Sequence, residues 1–347
     1  MHILIITVCL AALFFISLKT DDKRGLYCSR LNMKKIISFF FFIIIFNLAV
    51  EGQQDPQFTN NAFYKLGVNP GFAGSENDIS GLILNRYQWV GIKGAPKTLV
   101  FSGQAPVEVF GHPGGLGLNI VNDELGFEKN TWINMIYAYK VPLSKGSLGI
   151  GIAGGFYNKS VKGDWYVPDY EGVYTQPESD PAIPQQQVSQ LAFDVGLGLY
   201  LKTNNYFAGA SVTHLNQAAI VFDQKASTYL TRHYYLSGGY NIKLPDPLFE
   251  LRSFVLFKSD LASSQVDLSA SIFYNERLWG GLDYRYQDAI ALMMGAELFN
   301  GLVFGYSFDL TTSAIGRYGY GSHEIFVSYS LQIEKKRTRK YKSIRYL

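Results

Sequence analysis

Histidine, serine, carboxylate and glycine-rich stretches carry this chain's capacity for chemistry, and their spacing argues against an enzyme. Beyond residue 52 there are four histidines, His112, His214, His233 and His323, with no paired spacing, so no metal site is expected. Ser322-His323-Glu324 brings nucleophile, base and carboxylate types together. Neighbours on a strand point to opposite faces, however, so this tripeptide cannot itself form a hydrogen-bonded triad, and no catalytic residue is expected. Gly114-Gly115-Leu116-Gly117 and Gly149-Ile150-Gly151-Ile152 look like phosphate loops, but neither leads into a helix whose N-terminus would hold an anion. No cofactor is expected, and alternate glycines instead signal close packing on one strand face. Asp194, Arg252, Lys258, Asp267, Asp283, Arg285, Glu297 and Asp309 either line a pore or pair with one another. Their nearly balanced signs favour a cross-linked, narrow or plugged lumen over an ion-selective channel.

The elements that must position these groups are strands. In Val266 to Tyr274 the apolar residues Val266, Leu268, Ala270, Ile272 and Tyr274 alternate with Asp267, Ser269 and Ser271. Leu302, Phe304, Tyr306 and Phe308 alternate with Gly305, Ser307 and Asp309 in the same way. A strand that separates lipid from a polar lumen reads like this, and the 24 Tyr, 25 Phe and 34 Gly suit aromatic girdles and crowded lumen positions. The expected fold is all-β, a transmembrane antiparallel barrel of fourteen strands. The spans are 78–88, 96–106, 114–122, 127–140, 146–158, 188–201, 205–213, 231–243, 248–258, 263–275, 277–286, 288–299, 301–310 and 322–334. Connections after even-numbered strands are brief, whereas the long ones, 159–187, 214–230 and 311–321, all follow odd-numbered strands. Long loops therefore face the exterior, and turns and both termini face the periplasm.

Before the barrel, Met33-Lys34-Lys35, the apolar run Ile36 to Val50 and Val50-Glu51-Gly52 have the order of a cleavable signal peptide. Residues 33–52 are read as that signal and 1–32 as an upstream extension from an over-long gene prediction. The alternative is a translated leader whose Ile3 to Leu18 run is a second apolar segment. Cys9 and Cys28 both fall in this region, so disulfide and thiolate chemistry is excluded from the remainder. The same segment holds 6 Lys and Arg against 3 Asp and Glu, which leaves 25 of each sign beyond it and removes any argument for nucleic acid.

Residues 53–77 are polar, rich in Asn, Gly and Pro, and lack alternation, so they are expected to be an irregular periplasmic or lumenal segment. The 159–187 loop carries Trp165, Tyr166, Tyr170 and Tyr174 with several acidic residues, as a binding loop or a lid over the barrel mouth would. The basic tail, 335–347, is either solvated or a contact for an acidic periplasmic partner.

Several strings then carry a resemblance. Gln54-Asp55-Pro56-Gln57-Phe58, Val68-Asn69-Pro70-Gly71-Phe72-Ala73-Gly74-Ser75, Arg86-Tyr87-Gln88-Trp89-Val90-Gly91 and Gly94-Ala95-Pro96-Lys97-Thr98 resemble the PorP/SprF family of outer-membrane proteins. So do Gly115 to Asp123, Arg232 to Leu236 and Gly321 to Ile325, in order along the chain. The resemblance implies a non-enzymatic outer-membrane barrel of the type IX secretion system. It also implies partners: the lipid bilayer, other secretion components and a surface adhesin with a C-terminal sorting domain, with a link to gliding motility. Asn69, Pro70, Arg86, Gln88, Trp89, Pro96 and Lys97 are then either a partner-recognition surface or structural residues that set turns, an interface girdle and a paired lumen charge. A small-solute channel and a barrel hydrolase remain the competing functions.

Overall fold

The computed structural model describes residues 55–76, 78–162, 186–223, 226–299 and 301–332. The expected signal peptide, the 163–185 part of the aromatic loop with Trp165, Tyr166, Tyr170 and Tyr174, and the basic tail lie outside the described residues. No described helix is long and apolar enough to cross a membrane, and the wall is built of strands.

Among the described residues, sixteen strands form in chain order. The first eight are β1 (Asp78–Tyr87), β2 (Lys97–Val109), β3 (His112–Leu125), β4 (Glu128–Leu143), β5 (Gly146–Val161), β6 (Val188–Thr203), β7 (Tyr206–Thr213) and β8 (Ala219–Asp223). The others are β9 (Ala226–Tyr229), β10 (His233–Lys243), β11 (Phe249–Ser259), β12 (Ser264–Tyr274), β13 (Leu278–Arg285), β14 (Ala289–Phe299), β15 (Leu302–Thr311) and β16 (Ser322–Gln332). Fourteen of them close into an antiparallel barrel in sequence order, sealed by pairing of β1 with β16, while β8 and β9 form a separate hairpin. Each of the fourteen expected segments becomes one barrel strand. The connection expected at Val107 to Pro113 shrinks to Phe110-Gly111, because Val109 pairs with His112 and both turn residues take positive φ. That is the backbone a two-residue hairpin needs to match the twist of its strands.

Alternation does what a membrane wall requires on its outer side. Leu268 and Ile272 of β12 and Phe304 and Leu310 of β15 point outward and are exposed, whereas Asp267, Ser307 and Asp309 are buried. The inner side departs from expectation, because it is not uniformly polar. Leu82, Leu84, Val100, Val121, Phe273, Trp279, Met293 and Phe326 project inward and form an apolar cluster with Phe58 and Tyr64. A packed interior needs something to pack against, and residues 55–76 supply it.

The β8–β9 hairpin, unforeseen within the expected 214–230 connection, also turns inward. Its Ile220, with Leu230 just beyond it, is buried against Tyr157 of β5 and Ala192 of β6, with Trp132 of β4 beside them. Among the described residues, this hairpin packs into the barrel interior beside β4, β5 and β6.

The even strand number brings Asp78 and Gln332 to one end, where they pair. Asp55 sits at the other end, beside the close of β7 and the start of β10. Of the two places considered for the irregular segment before β1, periplasmic or lumenal, residues 55–76 take the lumenal one and thread from one end of the barrel to the other.

If the outward face contacts lipid, a charge there is costly. Leu282→Arg, in the middle of β13 with its side chain exposed, is expected to cost about 2–4 kcal/mol. Denaturant unfolding of the barrel from lipid vesicles measures this, and an unchanged midpoint contradicts it.

Candidate functional site

The candidate site is the threaded segment and its anchors on the wall. Its only helical pieces are a single turn, α1 (Lys65–Val68), and a 3-10 turn at Pro70–Phe72. Asn69 joins them: its side-chain oxygen accepts the Gly71 N–H at 2.8 Å, and Pro70 follows with the fixed φ that starts such a turn. The Asn69 amide donates to the Leu199 carbonyl of β6 at 2.8 Å, and Ser211 of β7 donates its hydroxyl to the Val68 carbonyl at 2.6 Å.

This turn lies flat against a groove made by missing side chains. A Cβ on Gly149 or Gly151 of β5 would collide with the backbone of Pro70-Gly71, one on Gly198 of β6 with Asn69, and one on Gly115 of β3 with Ala73. The alternate glycines are close-packing positions, as their sequence pattern implied, and their partner is the inserted chain. Gly74, at φ 67°, then redirects the chain towards β1 in a conformation that L side chains rarely adopt.

The first anchor is ionic and buried. Arg86 on β1 donates to Asp309 on β15 at 2.7 Å and to Glu324 on β16 at 3.0 Å, and all three are at most 1% exposed. Strand register sets this up, since Arg86 lies directly opposite Glu324. The inserted chain completes the carboxylates: Thr59 N–H donates to Glu324 at 3.0 Å, Asn60 N–H to its other oxygen at 2.8 Å, and the Thr59 hydroxyl to Asp309 at 2.8 Å. Arg285 on β13 spans Asp267, its register partner on β12, and Asp309, and donates to the Phe58 carbonyl at 3.1 Å. Buried charge is tolerable only when paired and fully hydrogen-bonded, and here backbone N–H groups of residues 59 and 60 do part of that pairing.

The second anchor holds Asp55. His214, just beyond β7, bridges Asp55 at 2.9 Å and Asp194 of β6 at 3.0 Å. Tyr235 of β10 donates to Asp55 at 2.7 Å, and Lys258 of β11 donates to its backbone carbonyl at 2.7 Å. Burial opposes charge on His214, but Asp55 and Asp194 outweigh it and push its pKa up to about 10. Burial likewise opposes charge on Asp55, yet His233, His214 and Lys258 hold its carboxyl well below the usual range.

The sequence-selected residues divide in two. Asn69, Pro70 and Arg86 are interior and hold the inserted chain in place. Gln88, Trp89, Pro96 and Lys97 lie in or beside the β1–β2 connection, on the end of the long connections. There Gln88 N–H donates to the Pro96 carbonyl at 3.0 Å and Trp89 N–H to Ser322 at 3.1 Å, and Lys97 is exposed. Glu324 is consumed by the ion network, while His323 sits on the opposite parity and pairs with the Tyr306 hydroxyl at 2.8 Å. The Asp55, His214 and His233 cluster escaped sequence reasoning because its members are 159 and 19 positions apart and meet only when the barrel closes.

Two outcomes are expected. Arg86→Ala leaves buried Glu324 without its cation and Asp309 with Arg285 alone, and costs about 3–5 kcal/mol in denaturant unfolding of the intact barrel. A nitroxide at position 56 (Pro56→Cys, with Cys9 and Cys28 replaced by serine) reports the second anchor. With its pKa raised from 6.5 to about 10, His214 contributes fully below pH 6.5, and that contribution fades as pH rises through about 10. Asp55 acts at the acid side: its depressed pKa gives stability above the usual carboxylate range that is lost as pH falls through the depressed value. The label is expected to be immobile near neutrality and to loosen towards pH 10, and a pH-independent spectrum contradicts this.

A comparison with curated proteins finds no match. Among solved structures, the CymD monoaromatic hydrocarbon channel is similar at 10% identity, with 77% of this chain and 92% of that one covered and a TM-score of 0.47. The P. putida toluene transporter TodX is 10% identical, covering 76% of this chain and 92% of that one at a TM-score of 0.42. The Acinetobacter baumannii outer membrane protein Omp33 is 6% identical over 74% and 99%, at 0.41. The family model for the type IX secretion system membrane protein PorP/SprF matches residues 50–329, and the chain belongs to that family.

Proposed function

We propose that this chain is a non-enzymatic outer-membrane component of the type IX secretion system. It assists secretion or surface anchoring of a partner adhesin with a C-terminal sorting domain, and through it gliding motility. The observation that carries this reading is the lumen filled by residues 55–76 and fastened by buried ion pairs. A barrel closed in this way offers its rims to partners rather than its bore to solutes. Membership in a secretion-system membrane family supports the same conclusion.

In this account residues 33–52 are a cleaved signal peptide, the turns and the close of β16 face the periplasm, and the long connections face outward. Gln88, Trp89 and Lys97 then stand on the outer rim, and the connection with Trp165, Tyr166, Tyr170 and Tyr174 faces the same side. A tryptophan on such a rim is well suited to anchor a protein contact. The basic tail is left in the periplasm for other secretion components.

The test is surface presentation of the adhesin in cells that lack this chain. Complementation with the wild type is expected to restore presentation. A Trp89→Ala, Lys97→Glu double variant is expected to reach the membrane as a folded barrel yet restore it several-fold less well. Normal presentation without the chain, together with a defect in uptake of a small solute, would favour the channel reading instead.

A further inference from the structure

Asp55, His214 and His233 present ligand atoms that all lie within 4.8 Å of one another, on the inserted chain, beyond the close of β7 and at the start of β10. Zinc held by imidazole nitrogen and carboxylate oxygen at roughly 2.0–2.1 Å keeps tetrahedral ligands a little over 3 Å apart, so small side-chain movements close the set. From this convergence we propose that the second anchor is a binding site for a divalent transition-metal cation of the zinc type, which staples the inserted chain to the wall.

The outer partners of the three groups fit that role. His214 has Nδ1 at 3.0 Å from Asp194 and turns Nε2 towards Asp55. His233 donates from Nδ1 to the Thr231 carbonyl at 2.9 Å, with the Asp55 carboxylate 3.7 Å from that nitrogen, and its Nε2 lone pair accepts the Asp55 N–H at 3.2 Å. Each imidazole thus has its Nδ1 held by an acceptor and its Nε2 turned to Asp55, and an acceptor on one nitrogen fixes tautomer and raises basicity in metal-ligating histidines. Asp55 has one carboxylate oxygen occupied by the Tyr235 hydroxyl at 2.7 Å and the other directed at His214. A cation would take the place of the proton now shared between that oxygen and His214 Nε2.

Charge and space agree. Asp55 and Asp194 supply two negative charges to a dication, with the Lys258 ammonium held on the Asp55 backbone carbonyl beside them. A cavity of about 60 Å³ bordered by Asp55, Asp194, His214, Tyr235 and Lys258 adjoins the ligands. It has room for one or two waters, the remaining ligand a three-residue site requires. The hydrogen bonds from Asp55 N–H to His233 at 3.2 Å and from Thr213 to Asp55 at 3.3 Å are long and would be the ones to yield.

The experiment is calorimetric titration of Zn2+ into the full-length barrel in detergent after treatment with a chelator. Saturable binding of one Zn2+ per chain is expected. It should be lost in His233→Ala and in Asp55→Asn, and weakened about 10–100-fold in Asp194→Asn, which touches only the outer nitrogen of His214. Gel mobility of the unheated barrel checks that each variant is folded. The Asp194→Asn comparison keeps the test decisive should a ligand variant fail to assemble. Co2+ in place of Zn2+ should give the visible absorption of a four-coordinate nitrogen and oxygen site. Absence of one-to-one binding in the wild type, or equal affinity in the wild type and the folded variants, overturns the proposal.

Discussion

The guanidinium of Arg86, wedged between Asp309 and Glu324 inside the barrel, is the interaction on which the rest depends. The barrel must close before it can form, since β1 lies far in sequence from the consecutive strands β15 and β16 and meets them only at the seam. Two carboxylates against one arginine are not satisfied by pairing alone. Thr59 and Asn60 add backbone donors, and Arg285 reaches in from β13. Removing the inserted chain would therefore strip partners from charges that remain buried or flood them with water, and both are unfavourable relative to the seated state. Barrel closure and insertion of residues 55–76 are thereby coupled events.

Packing reinforces the same coupling. The interior is a core in two layers, wall and inserted chain, with aromatic contacts between Phe63 and Trp279 and between Phe63 and Phe326 at centroid distances of 4.9 and 4.6 Å. Glycines on β3, β5 and β6 bring backbone against backbone along the 69–74 turn, so that wall and inserted chain meet without an intervening layer of side chains. What distinguishes this barrel from a water-filled one is that inward positions alternate between charge, glycine and large apolar groups, each matched to one stretch of the inserted chain.

The wall was legible because its signal repeats every second residue, and each of fourteen segments carries it independently. Strand ends moved by a few residues where a turn could tighten, as at Phe110-Gly111. The inserted chain was legible only as an irregular periplasmic or lumenal segment: residues 55–76 have no period, and their course through the lumen follows from partners on many different strands. Arg86 as a paired lumen charge was inferable from parity, and Asn69-Pro70 as a turn from composition. The Asp55, His214 and His233 cluster was hidden by its sequence separation, and the β8–β9 hairpin by strands of only 5 and 4 residues.

The most direct test of the central claim is single-channel recording of the purified barrel in planar bilayers, with and without residues 55–76. A barrel whose lumen is filled by that segment conducts no steady current, and the deletion variant, refolded and inserted in the same way, opens a stable pore. Large, steady conductance from the intact protein, indistinguishable from that of the deletion variant, would contradict the account.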